Sequence, residues 1–475
     1  MAGGRGRERA GRVVTAQPEG RPYDVAVVGA GVVGCAVARE LAAYDLRVAL
    51  VEARADVGDG TSKANTAILH TGFDAVPGSL ESRLVRRGHA LLGAYAEAVG
   101  IPLERTGAIL VAWTEEEAGL LPALRAKAEA NGYSSCEHLD AEAVGMALPA
   151  LAPGARAGLR VPDESIICPW TTTLAYATEA VARGADLLLR REVRGARRGG
   201  DVTVLDTAGG PIRARWVVNA AGLGSDVIDR AFGGGSFTVT PRRGELIVFD
   251  KQARPLAPVI VLPVPSSRGK GVLIAPTVYG NVMLGPTAED LDDKGDTATT
   301  AAGLEALLHK GRALMPRLLA EEVTATYAGL RAATEHSDYQ VRVDVEAGYV
   351  CLGGIRSTGL TASMALAEHA AALLAEAGLD LRPRADLPAP PRMPPLGQGQ
   401  TRPYEDGERI DADPAYGDVV CFCERATRGE IRDALASAIP PADLDGLRRR
   451  TRVAMGRCQG FACGATVESL LGGAS

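Results

Sequence analysis

The spacing of apolar residues changes twice near the start of the chain. Asp24 to Val28 is a short apolar run, Val32 to Ala43 repeats its apolar positions with helical spacing, and Arg47 to Val51 is again continuously apolar. Continuous runs of this length are typical of buried strands, whereas a 3.6-residue period is typical of a helix. The pattern predicts a strand, a turn, a helix and a second strand, as in an α/β fold with a parallel sheet.

The rest of the chain mixes both periods. Strands are predicted at Ala108 to Trp113, Leu187 to Val193, Val202 to Asp206, Ile212 to Arg213, Trp216 to Asn219 and Gly348 to Leu352, with a strand-rich segment from Thr238 to Gly285. Helices are predicted at Thr171 to Arg183, at Leu304 to Leu319, where Pro316 ends or kinks the helix, and at Thr361 to Ala377. Residues 382–415 contain many prolines and no apolar period, which predicts a linker wrapping the main body.

Length and charge narrow the class of protein. A chain of 475 residues predicts about two to four domains. Aromatic residues make up 4% and the net charge is −6, which argues against nucleic-acid binding. No apolar run approaches the ~20 residues that span a bilayer. Residues 1–20 are rich in Arg and Gly and lack the apolar segment of a secretory signal, so a disordered tail is predicted; contact with acidic lipids or a partner is the open alternative.

The eight cysteines fall into two groups. Four are scattered among apolar neighbours and are predicted to be buried thiols: Cys35, Cys136, Cys168 and Cys351. The others form two close pairs, Cys421 with Cys423 and Cys458 with Cys463. Without a secretion signal, paired cysteines indicate metal or cluster ligands rather than disulfides. The prediction is a cytoplasmic protein, with peripheral association at the inner face of the cell membrane left open.

A glycine motif separates the first predicted strand from the first helix: Gly29-Ala30-Gly31-Val32-Val33-Gly34. Its first glycine permits a tight turn, its second lets the backbone approach a pyrophosphate, and its third lets helix and strand pack closely. The helix N-terminus offers free N–H groups to phosphates. Glu52 ends the second strand, where a carboxylate can bind a ribose hydroxyl. A dinucleotide site is predicted; NAD and FAD both stay open here, and a structural turn is the alternative.

Two later segments favour FAD. Residues 216–222 (WVVNAAG) form an apolar strand ending in small residues, which suits a second close backbone approach. Residues 353–363 (GGIRSTGLTAS) form a strand–glycine–helix turn, whose helix N-terminus could face the flavin pyrimidine ring. An ordinary strand-to-helix loop is the alternative for each segment.

Four segments resemble one flavoprotein superfamily: VAVVGAGVVGCAVARELA, GTSKANTAILHTGFDAVPGSLES, KGVLIAPTVYGNVMLGPTAED with DDKGDTATT after it, and GGIRSTGLTASMALAEH. They are similar to glycine-oxidase/D-amino-acid-oxidase-like proteins and, within these, to the FAD-dependent glycerol-3-phosphate dehydrogenase branch. The resemblance spans residues 24 to about 380 and implies a Rossmann-like FAD-binding domain with an α+β substrate domain. It implies FAD contacts by Gly29, Ala30, Gly31, Val32, Val33, Gly34, Glu52, Thr61, Ser62, Asn65, Thr66, Val193, Ala221, Gly222, Gly354, Ser357, Thr358, Gly359, Leu360 and Thr361.

The predicted domains alternate along the chain. The FAD-binding domain is assigned residues 21–92, 151–238 and 326–381, and the substrate domain residues 93–150 and 239–325. The linker at 382–415 then leads to a small helical module at 416–475. So short a module is below the size at which an apolar core alone is comfortably stable, and a bound cluster would stabilise it.

Oxidation of a secondary alcohol or amine needs a base that titrates near neutrality, which favours histidine among six candidates. The resemblance implies that His70, in Ile68 to Phe73, is this base; a core histidine is the alternative. His369 is predicted to be structural, and His336 lies near Arg331 in the sequence.

The substrate is predicted to be anionic. The resemblance places Arg331 where relatives bind a carboxylate or phosphate, and a guanidinium suits such bidentate recognition. Arg356 and Thr277 are weaker candidates for substrate contacts. A surface salt bridge is the alternative for each arginine.

The C-terminal module contains four clustered cysteines that predict a cluster or metal site: Cys421, Cys423, Cys458 and Cys463. Two tight pairs of thiolates suit a [2Fe-2S] cluster, with zinc as the rival. The segments VVCFCERATRGEIRDAL and LDGLRRRTRVAMGRCQGFACG resemble the bacterioferritin-associated-ferredoxin-like [2Fe-2S] domain. Each pair is expected in a loop flanked by helices, and the basic run Arg448 to Arg450 is predicted to be a solvated helix end.

The leading hypothesis is oxidation of sn-glycerol 3-phosphate to dihydroxyacetone phosphate, with electrons passing from FAD to the cluster and then to a quinone or partner protein. One alternative is a dehydrogenase of an L-2-hydroxy acid, such as L-2-hydroxyglutarate, or of an amino acid or opine. Another is an electron-transfer subunit of a larger complex. Homo- and hetero-oligomers are both open.

Overall fold

The computed structural model describes residues 13–14, 21–265 and 271–472. The tail predicted at 1–20 therefore lies outside the described residues, apart from Val13 and Val14. Val13 forms a parallel bridge with Leu187. None of the helices in the described part of the chain is both long and apolar enough to cross a membrane.

The strands in chain order are β1 Tyr23–Val28, β2 Val48–Val51, β3 Ile68–Leu69, β4 Leu103–Glu104, β5 Ala108–Ala112, β6 Glu137–Asp140, β7 Ala157–Val161, β8 Ser165–Ile167, β9 Asp186–Leu188, β10 Val193–Gly199, β11 Val202–Thr207, β12 Ile212–Asn219, β13 Thr240–Phe249, β14 Ile260–Pro263, β15 Leu273–Pro276, β16 Val282–Gly285, β17 Glu289–Asp290, β18 Val323–Ala333, β19 Gln340–Asp344, β20 Tyr349–Gly353, β21 Val419–Cys421 and β22 Ala426–Thr427.

The α-helices in chain order are α1 Val32–Leu41, α2 Leu80–Val99, α3 Glu115–Ala130, α4 Ala141–Ala147, α5 Pro169–Ala182, α6 Ser225–Ala231, α7 Ala301–Leu314, α8 Gly359–Glu376, α9 Gly407–Ala412, α10 Arg428–Leu435, α11 Leu444–Thr451 and α12 Gly464–Gly472.

The first sheet has the order β10-β11-β12-β1-β2-β9, with β20 pairing β12 and β19 pairing β20. The strands β2, β1, β12 and β20 run parallel, and α1 makes the crossover from β1 to β2. Helices cover both faces of such a sheet, which is why β1 and β2 are almost continuously apolar and buried. The α/β prediction is confirmed.

The second sheet has the order β17-β13-β16-β15-β14-β5-β7-β6, and β18 pairs with β13. Nearly all of its pairs are antiparallel, the exception in this path being β14 with β5. Long chain segments separate its strands, as expected for an α+β domain inserted into the first.

Two predicted domain boundaries do not coincide with the sheets. Strand β7 pairs with β5 in the second sheet, although residues from 151 were assigned to the first domain. Strand β18 pairs with β13 over its whole length, although residues from 326 were assigned to the first domain as well. Local apolar patterns predict a strand but carry no information about its partner, so these boundaries depend on long-range pairing.

Single elements also differ from their predictions. The strand predicted at Leu187 to Val193 is two strands, because the chain leaves β9 at Leu188 and enters β10 at Val193. The two short strands predicted between Ile212 and Asn219 form one strand, β12. As predicted, the helix before Pro316 ends there: α7 stops at Leu314 and a separate 3-10 turn begins at Pro316.

The proline-rich linker lies along the main body. Its backbone N–H groups at Arg384, Met393 and Gln398 donate to carbonyls of Ala43, Val99 and Val278, respectively. The linker therefore contacts the main body beside the ends of α1 and α2 and at the turn between β15 and β16 before it reaches the C-terminal module.

The module contains α10 to α12 and the short β21–β22 hairpin around its own apolar core. Cys421 ends strand β21, which corrects the expectation that both cysteine pairs lie in loops between helices. The four scattered cysteines are all buried, as predicted.

Candidate functional site

The glycine motif is packed too closely for side chains. Gly29 has φ +102°, and a Cβ there would lie 2.6 Å from the carbonyl oxygen of Ala220. A Cβ at Gly34 would lie 1.8 Å from the carbonyl oxygen of Gly29. The motif is therefore a tight strand-to-helix turn in which only glycine fits at these two positions.

Glu52 is held against the glycine motif. Its Oε2 accepts a 2.7 Å hydrogen bond from Ala30 N–H, and its Oε1 accepts one of 2.8 Å from Arg54 N–H. The two N–H groups lower the pKa of Glu52, but burial has the larger effect and the pKa is raised. A carboxylate in this position is suited to a sugar hydroxyl beside the turn.

Residues 56–66, here named the 56–66 loop, follow β2 in the chain. This loop contacts the glycine motif at one end and the second sheet at the other. Gly58 N–H donates to Ala30 O at 2.8 Å, and Val32 N–H donates to Ser62 Oγ at 2.9 Å. Ser62 thus contacts the N-terminus of α1, where a phosphate would bind.

The far end of this loop lies on strand β18. Thr61 Oγ1 donates to Leu330 O at 2.9 Å, and Tyr327 Oη donates to Asn65 O at 2.7 Å. Thr66 follows in the turn that Asn65 Oδ1 closes by accepting from Ala67 N–H.

Most of the other expected cofactor contacts lie at one edge of the first sheet. Val28, Asn219 and Cys351 are aligned across β1, β12 and β20, so the segments that follow them leave the sheet side by side. The carboxyl ends of parallel strands are where such sheets bind ligands. This edge brings together Gly29 to Gly34, Ala221, Gly222, Gly354 and Ser357 to Thr361; Val193 begins β10 near the sheet's antiparallel border. The spacing and donors fit an extended dinucleotide such as FAD.

His70 follows β3 and is held from two sides. The backbone N–H of His70 donates to Thr361 Oγ1 at 3.0 Å, which places His70 beside the first turn of α8. Its Nδ1 lies 3.0 Å from Oε2 of Glu164. Glu164 is fully buried, and its other oxygen accepts from Thr71 N–H at 2.7 Å and Thr71 Oγ1 at 2.9 Å.

Glu164 was not among the residues that sequence reasoning selected. It stands opposite His70 because β3 pairs with β8 in the register Ile68↔Ile166 and Leu69↔Ser165. The only local signal is a carboxylate directly before an apolar strand. A buried carboxylate that holds one imidazole nitrogen fixes the tautomer and leaves the other nitrogen for chemistry.

Arg331 is a half-buried cation on β18. Its Nη1 and Nη2 both lie 3.4 Å from Thr287 O, and no carboxylate of the described residues pairs with it. Gly244 on β13 makes room for it, since a Cβ there would lie 2.7 Å from Arg331 Nη2. Burial, followed by the charge of Arg242, lowers the pKa of Arg331. A desolvated cation of this kind is costly unless an anion binds it.

Arg356 and Thr277 have protein partners instead. Arg356 Nη2 pairs with Glu81 Oε2 at 2.6 Å, which favours the salt-bridge interpretation. Thr277 is buried, and its hydroxyl accepts from the N–H groups of Tyr279 and Asn281 in its own turn. His336 contacts Ser236 O at an exposed position, and burial lowers the pKa of His369 on α8.

The four clustered cysteines meet in two pairs, Cys421 with Cys463 and Cys423 with Cys458. Backbone N–H groups, first that of Ala462, lower the pKa of Cys458, as suits a thiolate ligand. In the described part of the chain no three side chains of ligand type converge on a single metal position. Four thiols in two facing pairs are the donor set of a [2Fe-2S] cluster, in which each iron takes two thiolates.

The basic run at the end of α11 is not a solvated helix end, which corrects that prediction. Arg449 and Arg450 are buried and bind Asp56 of the 56–66 loop. A helix-surface pattern of charges cannot distinguish water from a carboxylate that lies almost 400 residues earlier in the chain. Arg452 makes a second contact between the C-terminal module and the main body. It pairs with Glu424 of the module at 2.8 Å, and its guanidinium lies 3.9 Å from the ring centre of Tyr279 in the main body.

Comparison with known proteins identifies the families that both parts of the chain match. Residues 24–373 match the family of FAD dependent oxidoreductases, and residues 419–472 match BFD-like [2Fe-2S] binding domains. Glycerol 3-phosphate dehydrogenase of Caloramator mitchellensis is 34% identical over 454 residues, covering 94% of each chain. Glycerol 3-phosphate oxidase of Mycoplasma pneumoniae is 31% identical over 361 residues, covering 74% of this chain and 94% of the oxidase.

A similar solved structure is that of dithionite-reduced L-alpha-glycerophosphate oxidase from Mycoplasma pneumoniae with FAD bound. It superposes with a TM-score of 0.73 at 29% identity, covering 78% of this chain and 98% of the oxidase. The alignment with the dehydrogenase covers too much of this chain to leave out the C-terminal module, whereas the oxidase aligns over 74% of this chain.

Proposed function

The chain belongs to the FAD dependent oxidoreductase family and carries a BFD-like [2Fe-2S] binding domain, and on this premise we propose that it oxidises sn-glycerol 3-phosphate to dihydroxyacetone phosphate. The observation that carries the proposal is the similarity to a glycerol 3-phosphate dehydrogenase along 94% of both chains. The protein is an FAD-dependent oxidoreductase whose cofactors are FAD and a [2Fe-2S] cluster. We assign FAD to the carboxyl edge of the first sheet and the substrate to the second sheet.

Arg331 supports an anionic substrate. It is a half-buried cation without a carboxylate partner among the described residues, and it follows Leu330, to which the 56–66 loop is bonded. A phosphate would supply the missing negative charge and accept two parallel N–H bonds from the guanidinium. Arg356 is neutralised by Glu81 and Thr277 is engaged in its turn, so neither is retained in this proposal.

His70 is proposed to take the proton of the substrate's secondary hydroxyl. Glu164 holds Nδ1, so Nε2 is the nitrogen that accepts the proton, and the buried carboxylate balances the positive charge that then forms on the ring. FAD, when bound, would accept the hydride that leaves the carbon bearing this hydroxyl. Glu164 is thus a positioning residue, and His70 the base.

The C-terminal module supports a dehydrogenase. A [2Fe-2S] cluster held by Cys421, Cys423, Cys458 and Cys463 carries one electron at a time, which an enzyme that delivers electrons directly to oxygen does not need. We propose that a quinone or a partner electron-transfer protein accepts the electrons. We also propose that the protein is cytoplasmic, with peripheral contact at the inner face of the cell membrane as the alternative.

Anaerobic flavin reduction tests the proposal. Purified protein would be mixed with glycerol 3-phosphate, glycerol, L-2-hydroxyglutarate or glycine, and loss of flavin absorbance followed. We expect glycerol 3-phosphate to bleach the flavin and glycerol, which lacks the phosphate, to do so far more slowly. Bleaching by a hydroxy or amino acid while glycerol 3-phosphate leaves the flavin oxidised would replace this function with the second candidate, which Arg331 would serve equally by binding a carboxylate.

An electron-transfer subunit without its own substrate is the third candidate. In that case no metabolite would reduce the flavin, and a His70→Ala variant would keep full turnover in the complete complex. Iron and zinc analysis of the same preparation tests the cluster: zinc in place of iron would exclude electron transfer through the module.

A further inference from the structure

Asp56 is a buried carboxylate that the C-terminal module neutralises. Its side chain is 3% exposed, and those of Arg449 and Arg450 are 7% and 6% exposed. Asp56 Oδ2 accepts from Arg449 Nη2 at 2.8 Å and from Arg450 Nη1 at 2.7 Å, while Oδ1 accepts from Arg450 Nη2 at 2.8 Å. Arg450 therefore binds both oxygens of a residue in the first domain.

A second acid of the same loop is neutralised in the same way. Asp59 pairs with Lys63 at 2.8 Å and with Arg449 at 3.1 Å. Asp445, on α11, pairs with Lys63 at 2.8 Å and with Arg449. Arg54 also lies 3.7 Å from Asp59, so the three carboxylates of the junction face four cations, and the two arginines of α11 are the cations that pair with Asp56.

The junction lies directly on the phosphate-binding turn. Between Asp56 and Asp59, Gly58 N–H donates to Ala30 O in the glycine motif, and three residues beyond Asp59 Ser62 Oγ accepts from Val32 N–H. Gly58 and Ser62 line the same small recess as Arg449 and Arg450. Helix α11 leaves no room for adjustment, since a Cβ at Gly446 would lie 2.7 Å from Asp56 Oδ2.

The field of Asp56 reaches the start of α1. The pKa of Cys35, in the first turn of that helix, is raised by burial and then by the charges of Glu52 and Asp56. A pyrophosphate bound at this helix end would feel the same carboxylate. Without the two arginines, Asp56 would lose its cationic partners, whereas Asp59 would keep Lys63 and Arg54. The unpaired Asp56 would repel the pyrophosphate, because charges in a partly buried site are poorly screened.

We propose that the C-terminal module is part of the FAD site: Arg449 and Arg450 neutralise Asp56 and Asp59 beside the pyrophosphate turn, and FAD is held more weakly when they do not. The module then has a role in retaining the flavin that is separate from carrying a cluster. This inference rests on the family's FAD and is independent of the substrate proposed above.

The test is the rate of FAD release from the intact holoenzyme, followed by the gain of flavin fluorescence after dilution. We expect Arg449→Gln/Arg450→Gln to release FAD about tenfold faster or more, a change equivalent to roughly 1.4 kcal/mol. Adding Asp56→Asn should slow release again, because it removes the uncompensated charge. Arg428→Gln, which removes an exposed arginine paired with Asp418 within the module, is the matched control and should release FAD at the parental rate.

Iron content and the melting temperature are measured on every variant. If the double variant does not fold, Arg450→Gln is compared with Arg450→Lys, which keeps the charge but loses the bidentate geometry; the proposal requires faster release from the glutamine variant. Equal release rates in this comparison, or parental release from Arg449→Gln/Arg450→Gln, would overturn the proposal. So would a failure of Asp56→Asn to slow release in the double variant.

Discussion

Two groups of arginines, both withdrawn from solvent, have opposite surroundings. Arg331 on β18 contacts only a backbone carbonyl and has no carboxylate partner among the described residues. Arg449 and Arg450 on α11 have their charges matched by Asp56, Asp59 and Asp445. Burial alone therefore does not reveal what an arginine does. We propose that Arg331, which has no acid beside it, binds an anionic ligand, whereas the matched Arg449 and Arg450 hold two parts of the chain together.

The junction should be the more sensitive of the two regions to loss of one charge. For Arg450→Met we expect the free energy of unfolding to fall by about 3–5 kcal/mol, because Asp56 is left buried with fewer partners. Thermal and urea unfolding of the FAD-loaded protein measures this. Arg428→Met, at an exposed pair, should change it by less than about 1 kcal/mol. Similar losses in the two variants would mean that the junction is energetically an ordinary surface.

Arg331→Met should have the opposite signature. We expect kcat/KM for glycerol 3-phosphate to fall about 10²- to 10³-fold, since a charge-assisted contact to the phosphate is lost. The melting temperature should stay the same or rise, because a desolvated charge has been removed. Arg242→Met is the control: Arg242 faces Arg331 across the strand pair but is matched by Asp290. A large loss of stability with unchanged kinetics would assign Arg331 a structural role.

Substitution of Glu164, in the proposed reaction site, should have a smaller effect on the reaction than substitution of Arg331. Glu164→Gln should lower kcat by roughly 10- to 100-fold, as for other residues that orient a functional side chain, with little change in KM. Glu164→Asp should recover part of the loss, because it restores the charge beside His70. An increase in KM with unchanged kcat would contradict a role in positioning the base.

The smallest expected effect is the response of the junction to acid. Burial would raise the pKa of Asp445, but its contacts with Lys63 and Arg449 outweigh burial and lower it. A carboxyl with a depressed folded pKa stabilises the protein above its unfolded pKa, about 3.9, and loses this contribution as pH falls through the folded value. The stability difference between the parent and Asp445→Asn should therefore be present near neutral pH and be lost as the pH falls through the lowered pKa of the folded state. A difference that persists in acid would show that Asp445 acts by packing.

Features encoded in short segments were predictable. The glycine motif with Glu52, and each of the two cysteine pairs, are short-range patterns. The structure folds the glycine motif as a strand-to-helix turn, as expected, whereas Cys421 ends a strand instead of lying in a loop. His70 was selected among six histidines because of the family resemblance, and its role as the base stays a prediction. The parallel first sheet followed from apolar runs, since strands buried on both faces leave a continuous pattern.

Features that join distant segments were not predictable. Glu164 was missed because only the β3–β8 register places it beside His70, and Arg356 was selected without knowledge of its partner Glu81. The positions of β7 and β18 in the second sheet depend on which strands they meet. A local pattern records the face of an element that is buried, but it does not record what covers that face.

The amino-acid sequence by itself determined the cofactor classes, the order of the elements and the residues that could do chemistry, because these depend on local spacing and residue type. Only the tertiary structure decided which charges are matched. Arg331 and Arg450 look alike in the sequence. They differ because one faces a carbonyl in a sheet and the other a carboxylate nearly 400 residues away, and a charge in a buried site is governed by its neighbours in space.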